Sequence, residues 1–393
     1  MRLSLNLLMI IAKYRLFNSI AILCFLPFLI ISCNKTITSS DEIEFGKSSL
    51  EILIRDIIDK PDGKLTIDGL ESIERISAGY MGISDLIGIE YCSNITYLNL
   101  EGNGITDISP LNNLTKLDTL ILSWNRIDDI SPLKQLVNLR YLNIMGNEYD
   151  SFEALENLVN LEALYINEVN ISDISPISNL IKLKILELSN LKNVGNIEPL
   201  SSLTNLTYLN CAWSEISDIS AVANLTKLKY LSFQSNLISD VPSLSSLIQL
   251  TELVLYHNQI NDISALNVPS LKYLCLGINQ FENLNNFPQI DGLETLHIDN
   301  NSINDLTGLT KFPNIKYLLA ENNYIQDISI IRNLQKISEL YLDGNLIEDI
   351  SPLVDNSSLD EGDYVIIRDN PLSVLSTTTY IPALRGRGVN VWY

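Results

Sequence analysis

The chain has 393 residues, with 47 acidic residues against 26 basic ones and a formal net charge of -21. A surface this negative repels nucleic acid and anionic lipid and accommodates basic partners or cations; it also serves solubility alone. Two histidines, His257 and His297, and five widely spaced cysteines leave zinc or histidine-based chemistry unsupported, and the sequence predicts no cofactor and no metal site.

Residues 1–32 differ in composition from the rest. Arg2, Lys13 and Arg15 precede the hydrophobic run FNSIAILCFLPFLIIS at 17–32, and the first acidic residue is Asp41. This is a secretory signal pattern. It ends in Ile30-Ile31-Ser32-Cys33, followed by polar NKTITSSDE. That ending resembles the lipobox of bacterial lipoproteins. The resemblance implies cleavage before Cys33, lipidation of that cysteine, and a chain exported and held on a bacterial membrane, at the outer membrane or cell surface. An uncut N-terminal membrane helix is the alternative. Loss of the leader removes three cations, so the exported part would carry -24 rather than -21.

Residues 33–43 read as a polar tether, and 44–75 as an N-terminal helical cap. In EFGKSSLEILIRDIID at 44–59, Leu50, Ile54, Ile57 and Ile58 fall on one side of an amphipathic helix. Pro61-Asp62-Gly63 ends it.

From 76 to 370 one unit recurs about every 22 residues: LNLEGNGITDISPL at 98–111, LILSWNRIDDISPL at 120–133, LYLDGNLIEDISPL at 340–353. A period of this size marks a solenoid of short units that stack because none can bury its apolar face alone. Each LxL is a short strand with its leucines inward, as at Leu98 and Leu100. An asparagine three residues after LxL recurs at Asn103, Asn125, Asn147, Asn236, Asn258, Asn279, Asn301, Asn323, Asn345 and Asn370. Its side chain can satisfy backbone groups inside the turn. Met81, Val169, Leu191 and Ser214 interrupt that ladder and predict an irregular coil twist near 169–214. In Asp107-Ile108-Ser109-Pro110-Leu111 and its repeats, serine is expected to cap a short turn whose first position is proline. These convex segments are predicted as 3₁₀ turns, and their repeated aspartates as structural rather than metal-binding.

The pattern resembles the leucine-rich repeat family, with LxxLxLxxNxI as consensus, and its DISPL ending resembles the 22-residue class of bacterial internalins and of the phosphatase-1 regulatory subunit. The resemblance implies an α/β solenoid, a horseshoe with a parallel concave β-sheet and short 3₁₀ or turn segments on the convex side. Residues 371–393, through Tyr380-Ile381-Pro382 and Gly388-Val389-Asn390-Val391, resemble the C-terminal cap of secreted bacterial members. No cell-wall sorting motif or transmembrane tail follows, so the lipid is expected to be the anchor.

Function is expected where side chains leave the strands without packing duties. Before LxL stand Tyr97, Tyr141, Tyr208, Tyr230, Tyr273 and Tyr317; the central row carries Tyr165, Tyr341 and Cys275, whose thiol the register places outward. The next row carries Tyr256, Asp299, Glu321 and Asp343, and Trp124 and Trp213 lie one residue beyond it. Tyrosine and tryptophan give large contact area with a polar end, which suits protein recognition. The acidic set suits a basic patch. Tyrosines before LxL equally suit packing on the adjacent strand. Cys211, at an inward leucine position, reads as a small core residue. The chain therefore reads as a monomeric, non-catalytic scaffold that binds a protein ligand on its concave face, adhesion being one such role, with no nucleic-acid partner. The second reading is a glycan or envelope-polymer binding module. No serine elbow, metal cluster or phosphate loop supports an enzyme.

Overall fold

The structure, a computed structural model, describes residues 42–43, 45, 48–191 and 193–393. The signal segment, Cys33 and the tether up to Asp41 lie outside the described residues.

Every LxL of the repeat forms a strand, and the strands stack into a 15-stranded parallel sheet running from Arg75–Ser77 to Asn390–Trp392. Register is strict: Leu98 pairs with Leu120, which pairs with Leu142. Strands of three residues cannot persist alone; burial stabilises them. Leu98, Leu100, Leu120, Leu122 and Leu142 are all fully buried, and each contributes roughly 1.5–3 kcal/mol. The convex side is made of short 3₁₀ turns such as Ser109–Leu111, Ser131–Gln135 and Ser175–Ile177. Those turns hold Ile108 and Leu111 against the same core.

The capping expectation needs correction. Serine does not cap these turns; the aspartate two residues earlier does. Asp107 Oδ1 accepts the Ser109 N–H at 2.7 Å, and Asp129, Asp173 and Asp349 repeat the bond to Ser131, Ser175 and Ser351. The serine hydroxyl turns back on the same carboxylate, Ser131 Oγ donating to Asp129 Oδ2 at 2.8 Å. An aspartate mimicking a backbone turn two residues on is the stronger local geometry. The Ser131 and Ser175 N–H groups hold Asp129 and Asp173 below the usual carboxylate range.

The asparagine ladder forms as read. Asn125 Oδ1 accepts the Ile105 N–H at 3.1 Å, while its Nδ2 donates to the Leu100, Leu122 and Ser123 carbonyls at 2.9, 3.0 and 3.3 Å. One side chain thus ties two coils together and satisfies groups the core would otherwise orphan. At Val169 and Leu191 apolar side chains, 3% and 1% exposed, fill the asparagine sites instead. The expected irregularity takes the form of longer strands, Ala163–Asn167 and Ile185–Ser189. Ser214 partly restores the ladder: its Oγ accepts the Leu191 N–H at 3.2 Å.

Both ends are covered. Glu42–Ile43 pairs antiparallel with Leu65–Thr66, so the end of the expected tether belongs to the cap. The cap helix runs Ser49–Ile57, with Ser48 Oγ accepting the Glu51 N–H at 3.2 Å. Leu50 and Ile54 are buried, but Ile57 is 40% exposed. The i+4 line through Leu50, Ile54 and Ile58 takes the core side and leaves Ile57 off its edge. At the far end Tyr364–Ile366 and Asn390–Trp392 continue the sheet through the cap. There the Arg387 guanidinium donates to the Val354 and Asn356 carbonyls, each at 2.7 Å, and to Leu359 O. No described helix is long and apolar enough to cross a membrane.

Candidate interaction face on the concave sheet

The concave face presents three strand rows and a fourth row at the strand exits. In the first row the tyrosines are half-buried and packed on neighbours. Tyr208 stacks on Tyr230 with centroids 4.6 Å apart and planes 6° apart. Tyr141 tilts against Tyr165 of the central row at 5.2 Å, Tyr273 against His297 at 5.0 Å, and the Arg75 guanidinium lies 4.0 Å over the Tyr97 ring. Tyr317 is 36% exposed. Packing and presentation therefore coexist: ring edges and hydroxyls face the concave surface while neighbouring rings fix their rotamers.

The central row is more enclosed than the register suggests. Cys275 is buried at 3% exposure, not outward, and burial pushes its thiol up to about 12. Ser232, Val254 and His297 are buried too. The enclosure is local: Asn210, Ser232, Val254, Cys275 and His297 are buried, whereas Asn99, Asn143 and Leu319 of the same row are partly exposed.

The acidic set also departs from expectation. Asp299 and Glu321 are buried, at 8% and 3% exposure, so neither is an exposed contact group. The ideal Cβ position of Gly277 lies 2.5 Å from Asp299 Oδ1 and 2.8 Å from the Tyr256 ring. The missing side chain at Gly277 thus lets Tyr256 and Asp299 close over it. Burial raises the Asp299 carboxyl despite the bond from Asn300 Nδ2 at 2.7 Å. Asp343 is paired with Arg368 at 2.7 Å, and Tyr341 donates to Glu339 Oε2 at 2.9 Å.

The strand-exit row is the most exposed. Trp124 and Trp213 are 48% and 54% exposed and adopt left-handed φ of 59° and 60°. Such a backbone is unfavourable for a bulky residue. The Trp124 ring lies over Gly146, and Trp213 meets His257 edge-on at 6.3 Å. The sequence reading missed Tyr80, which occupies the same row, is 71% exposed and lies over Gly102. Its register, the residue before Met81, was the available signal.

Glu187 pairs with Tyr165 in the central row. It is half-buried, accepts two bonds from Asn210 Nδ2 at 2.9 and 3.0 Å, and is also bonded by Ser189 and Tyr208. Burial outweighs those bonds and raises its carboxyl to about 7. Among the described residues no group of three or more His, Cys, Asp or Glu is placed to hold a metal ion, and Cys92, Cys211 and Cys275 are buried thiols.

A face of this kind holds fixed aromatic and polar groups on a rigid sheet; at its rim Ser235 Oγ lies 3.2 Å from His257 Nδ1. The family profile of leucine-rich repeats (two copies) matches residues 93–134, 115–157, 204–246, 226–268 and 291–333. No curated protein matches the sequence. Among solved structures, an internalin of Listeria monocytogenes (inlF) is 34% identical, covers 79% of this chain and 93% of its own, and superposes with a TM-score of 0.74. A leucine-rich repeat protein of Leptospira interrogans, 20% identical over 83% of this chain and 97% of its own, gives 0.67. The functional domain of InlJ from Listeria monocytogenes, which includes a cysteine ladder, is 18% identical over 81% of this chain and 80% of its own and gives 0.55. The last two share the fold alone. By the identity and coverage of the first, the chain belongs to the internalin-like leucine-rich repeat proteins and is a non-catalytic scaffold.

Proposed function

We propose that this chain is a protein-binding scaffold of the bacterial cell envelope, anchored by a lipid on Cys33, with its partner seated on the concave face. The observation that carries the reading is the aromatic surface around Tyr141, Tyr165, Tyr208 and Tyr230, in which rings are held by one another. Rigid aromatics lose little rotamer freedom on binding, which is what interface hot spots require. Trp124 and Trp213 extend that surface to the rim.

A photoreactive phenylalanine analogue at Tyr165, compared with one at Gln135 in the convex turn Ser131–Gln135, tests the reading in intact cells. A discrete crosslinked species at Tyr165 alone is expected, and it should disappear when Tyr208→Ala and Tyr230→Ala are added. Equal crosslinking from both positions would sink the concave assignment. Anchoring is tested separately by mass analysis of the N-terminal peptide after protease treatment of whole cells. A lipidated Cys33 supports it, and an intact Met1 rejects it.

A further inference from the structure

The net charge conceals a segregation of charge across the width of the sheet. In five consecutive coils the loops entering the strands, 178–184, 199–207, 220–229, 242–251 and 264–272, hold Lys182, Lys184, Lys227, Lys229 and Lys272 and no acid. The loops leaving the strands, 168–174, 190–198, 213–219, 235–241 and 257–263, each hold an acid: Asp173, Glu198, Asp218, Asp240 and Asp262. Lys192 is their single base.

Backbone bonds set the entering lysines in a row. The Thr207 N–H bonds Lys184 O at 2.8 Å, Lys229 N–H bonds Thr207 O at 2.8 Å, Thr251 N–H bonds Lys229 O at 3.0 Å, and Lys272 N–H bonds Thr251 O at 2.9 Å. Lys184, Lys229 and Lys272 thus recur every second coil, roughly 10 Å apart at the usual strand spacing. Lys182 and Lys227 form a parallel line, their ammonium groups steadied by the neutral Asn160 and Asn205 amides at 2.7 and 2.6 Å. Lys184 and Lys272 form ion pairs with Glu162 and Glu294 at 2.6 and 3.2 Å yet remain 58% exposed, and Lys229 makes no ion pair among the described residues.

The acidic edge does not cancel this row. Lys229 and Ser235 are six residues apart across the strand, roughly 20 Å at about 3.3 Å per residue. That is more than two screening lengths of ~8 Å at physiological ionic strength. An anion at the basic edge therefore feels the lysines and little of the opposite side.

We propose that this edge is a second binding surface, distinct from the concave face, and that it takes a linear acidic polysaccharide bearing carboxylate or sulfate groups. A row one or two side chains wide fits a chain of regularly spaced anions better than a broad surface. Between the lysines stand the exposed Gln249 and Thr207 and Thr251, whose hydroxyls donate to the Lys184 and Lys229 carbonyls at 3.0 and 3.1 Å and keep lone pairs for a sugar hydroxyl. Nucleic acid is disfavoured because the rings beside the row are engaged with neighbours, Tyr208 with Tyr230 and Tyr273 with His297, whereas single strands are held by stacking on open aromatic faces.

The test is fluorescence anisotropy of labelled heparin oligosaccharide with the full chain at rising sodium chloride. Binding that weakens steadily with salt is expected. Lys227→Glu with Lys229→Glu should weaken it on the order of tenfold or more. Arg126→Glu with Lys134→Glu, the same charge change away from this edge, should leave it nearly intact. Lys227→Gln with Lys229→Gln gives an intermediate loss and serves if the reversal disturbs folding, which circular dichroism reports. No binding at low salt, or equal loss in both charge-reversal variants, overturns the proposal. Binding of a single-stranded oligonucleotide of equal charge as tightly as heparin overturns the polysaccharide assignment.

Discussion

The coils closed by Asn236 through Asn370 and the coils around 163–214 solve the same problem differently. In the first region each asparagine satisfies carbonyls of two coils and an amide: Asn301 binds Leu276, Ile298 and Asp299 carbonyls at 3.0–3.2 Å and accepts the Phe281 N–H at 3.0 Å. In the second, Val169 and Leu191 bury apolar volume in its place, and the two strands run five residues each. The Ile303 N–H bonds Asn323 Oδ1 at 2.9 Å, whereas its counterpart Ile171 faces a coil with Leu191 at the asparagine position. The solenoid thus tolerates a missing polar link where apolar burial and extra strand pairing take over. In a structure whose units touch only their neighbours, such a substitution remains a local matter.

Removing a link from the regular region should produce the largest effect. Asn301→Ala is expected to cost about 2–4 kcal/mol by chemical denaturation, because the buried groups it served are left unsatisfied. A cost below about 0.5 kcal/mol would mean the ladder is decorative and the comparison empty. Gly146→Ala comes next. Its φ of 63° and the Trp124 ring 2.6 Å from an added Cβ predict a loss of about 1–2 kcal/mol together with a shift in tryptophan emission. A stable variant with unchanged emission would show that the ring does not rest on the glycine.

A third prediction concerns Glu187, inside the irregular region. Its folded-state carboxyl titrates near 7, above the ordinary carboxylate range. The folded chain therefore keeps a proton that the unfolded chain has released. Its contribution is present at low pH and is lost as the pH rises from the ordinary carboxylate range through about 7. Between pH 5 and pH 8 the wild type should lose about 1 kcal/mol more than Glu187→Gln, a value reduced from the full shift because the side chain is partly solvated. Parallel pH profiles for the two proteins would refute this. The smallest effect is expected from Ser214→Asn, which lengthens a side chain that already accepts the Leu191 N–H. A gain of about 0.5 kcal/mol would sharpen the comparison, and a loss would show that this stretch has repacked around serine.

Much of the fold was legible because it is periodic. The leucines, the asparagines and the DISPL turns each recur at a spacing that only one stacked geometry satisfies, so Leu98, Asn125 and Asp129 could be placed without coordinates. The site was less legible. Register assigned Asp299, Glu321 and Cys275 to outward rows, but exposure depends on the neighbours across the strand gap, not on register. Gly277 is the instructive case: a glycine in the row let Tyr256 and Asp299 fold inward, which turned a supposed contact group into a covered one. Tyr80 was missed because its coil, the first, matches the repeat only weakly, with no LxL before it.

The sequence by itself determined the repeat, the inward and outward alternation, the ladder and its interruption. These follow from contacts between residues about 22 apart, and so from the repeat itself. Tertiary structure decided which outward side chains reach solvent, since neighbours cover the same row unequally along the sheet, and which aromatic rings are held by neighbours. It also joined lysines scattered along the chain into one edge, because a charged surface is a sum over coils that no single repeat contains.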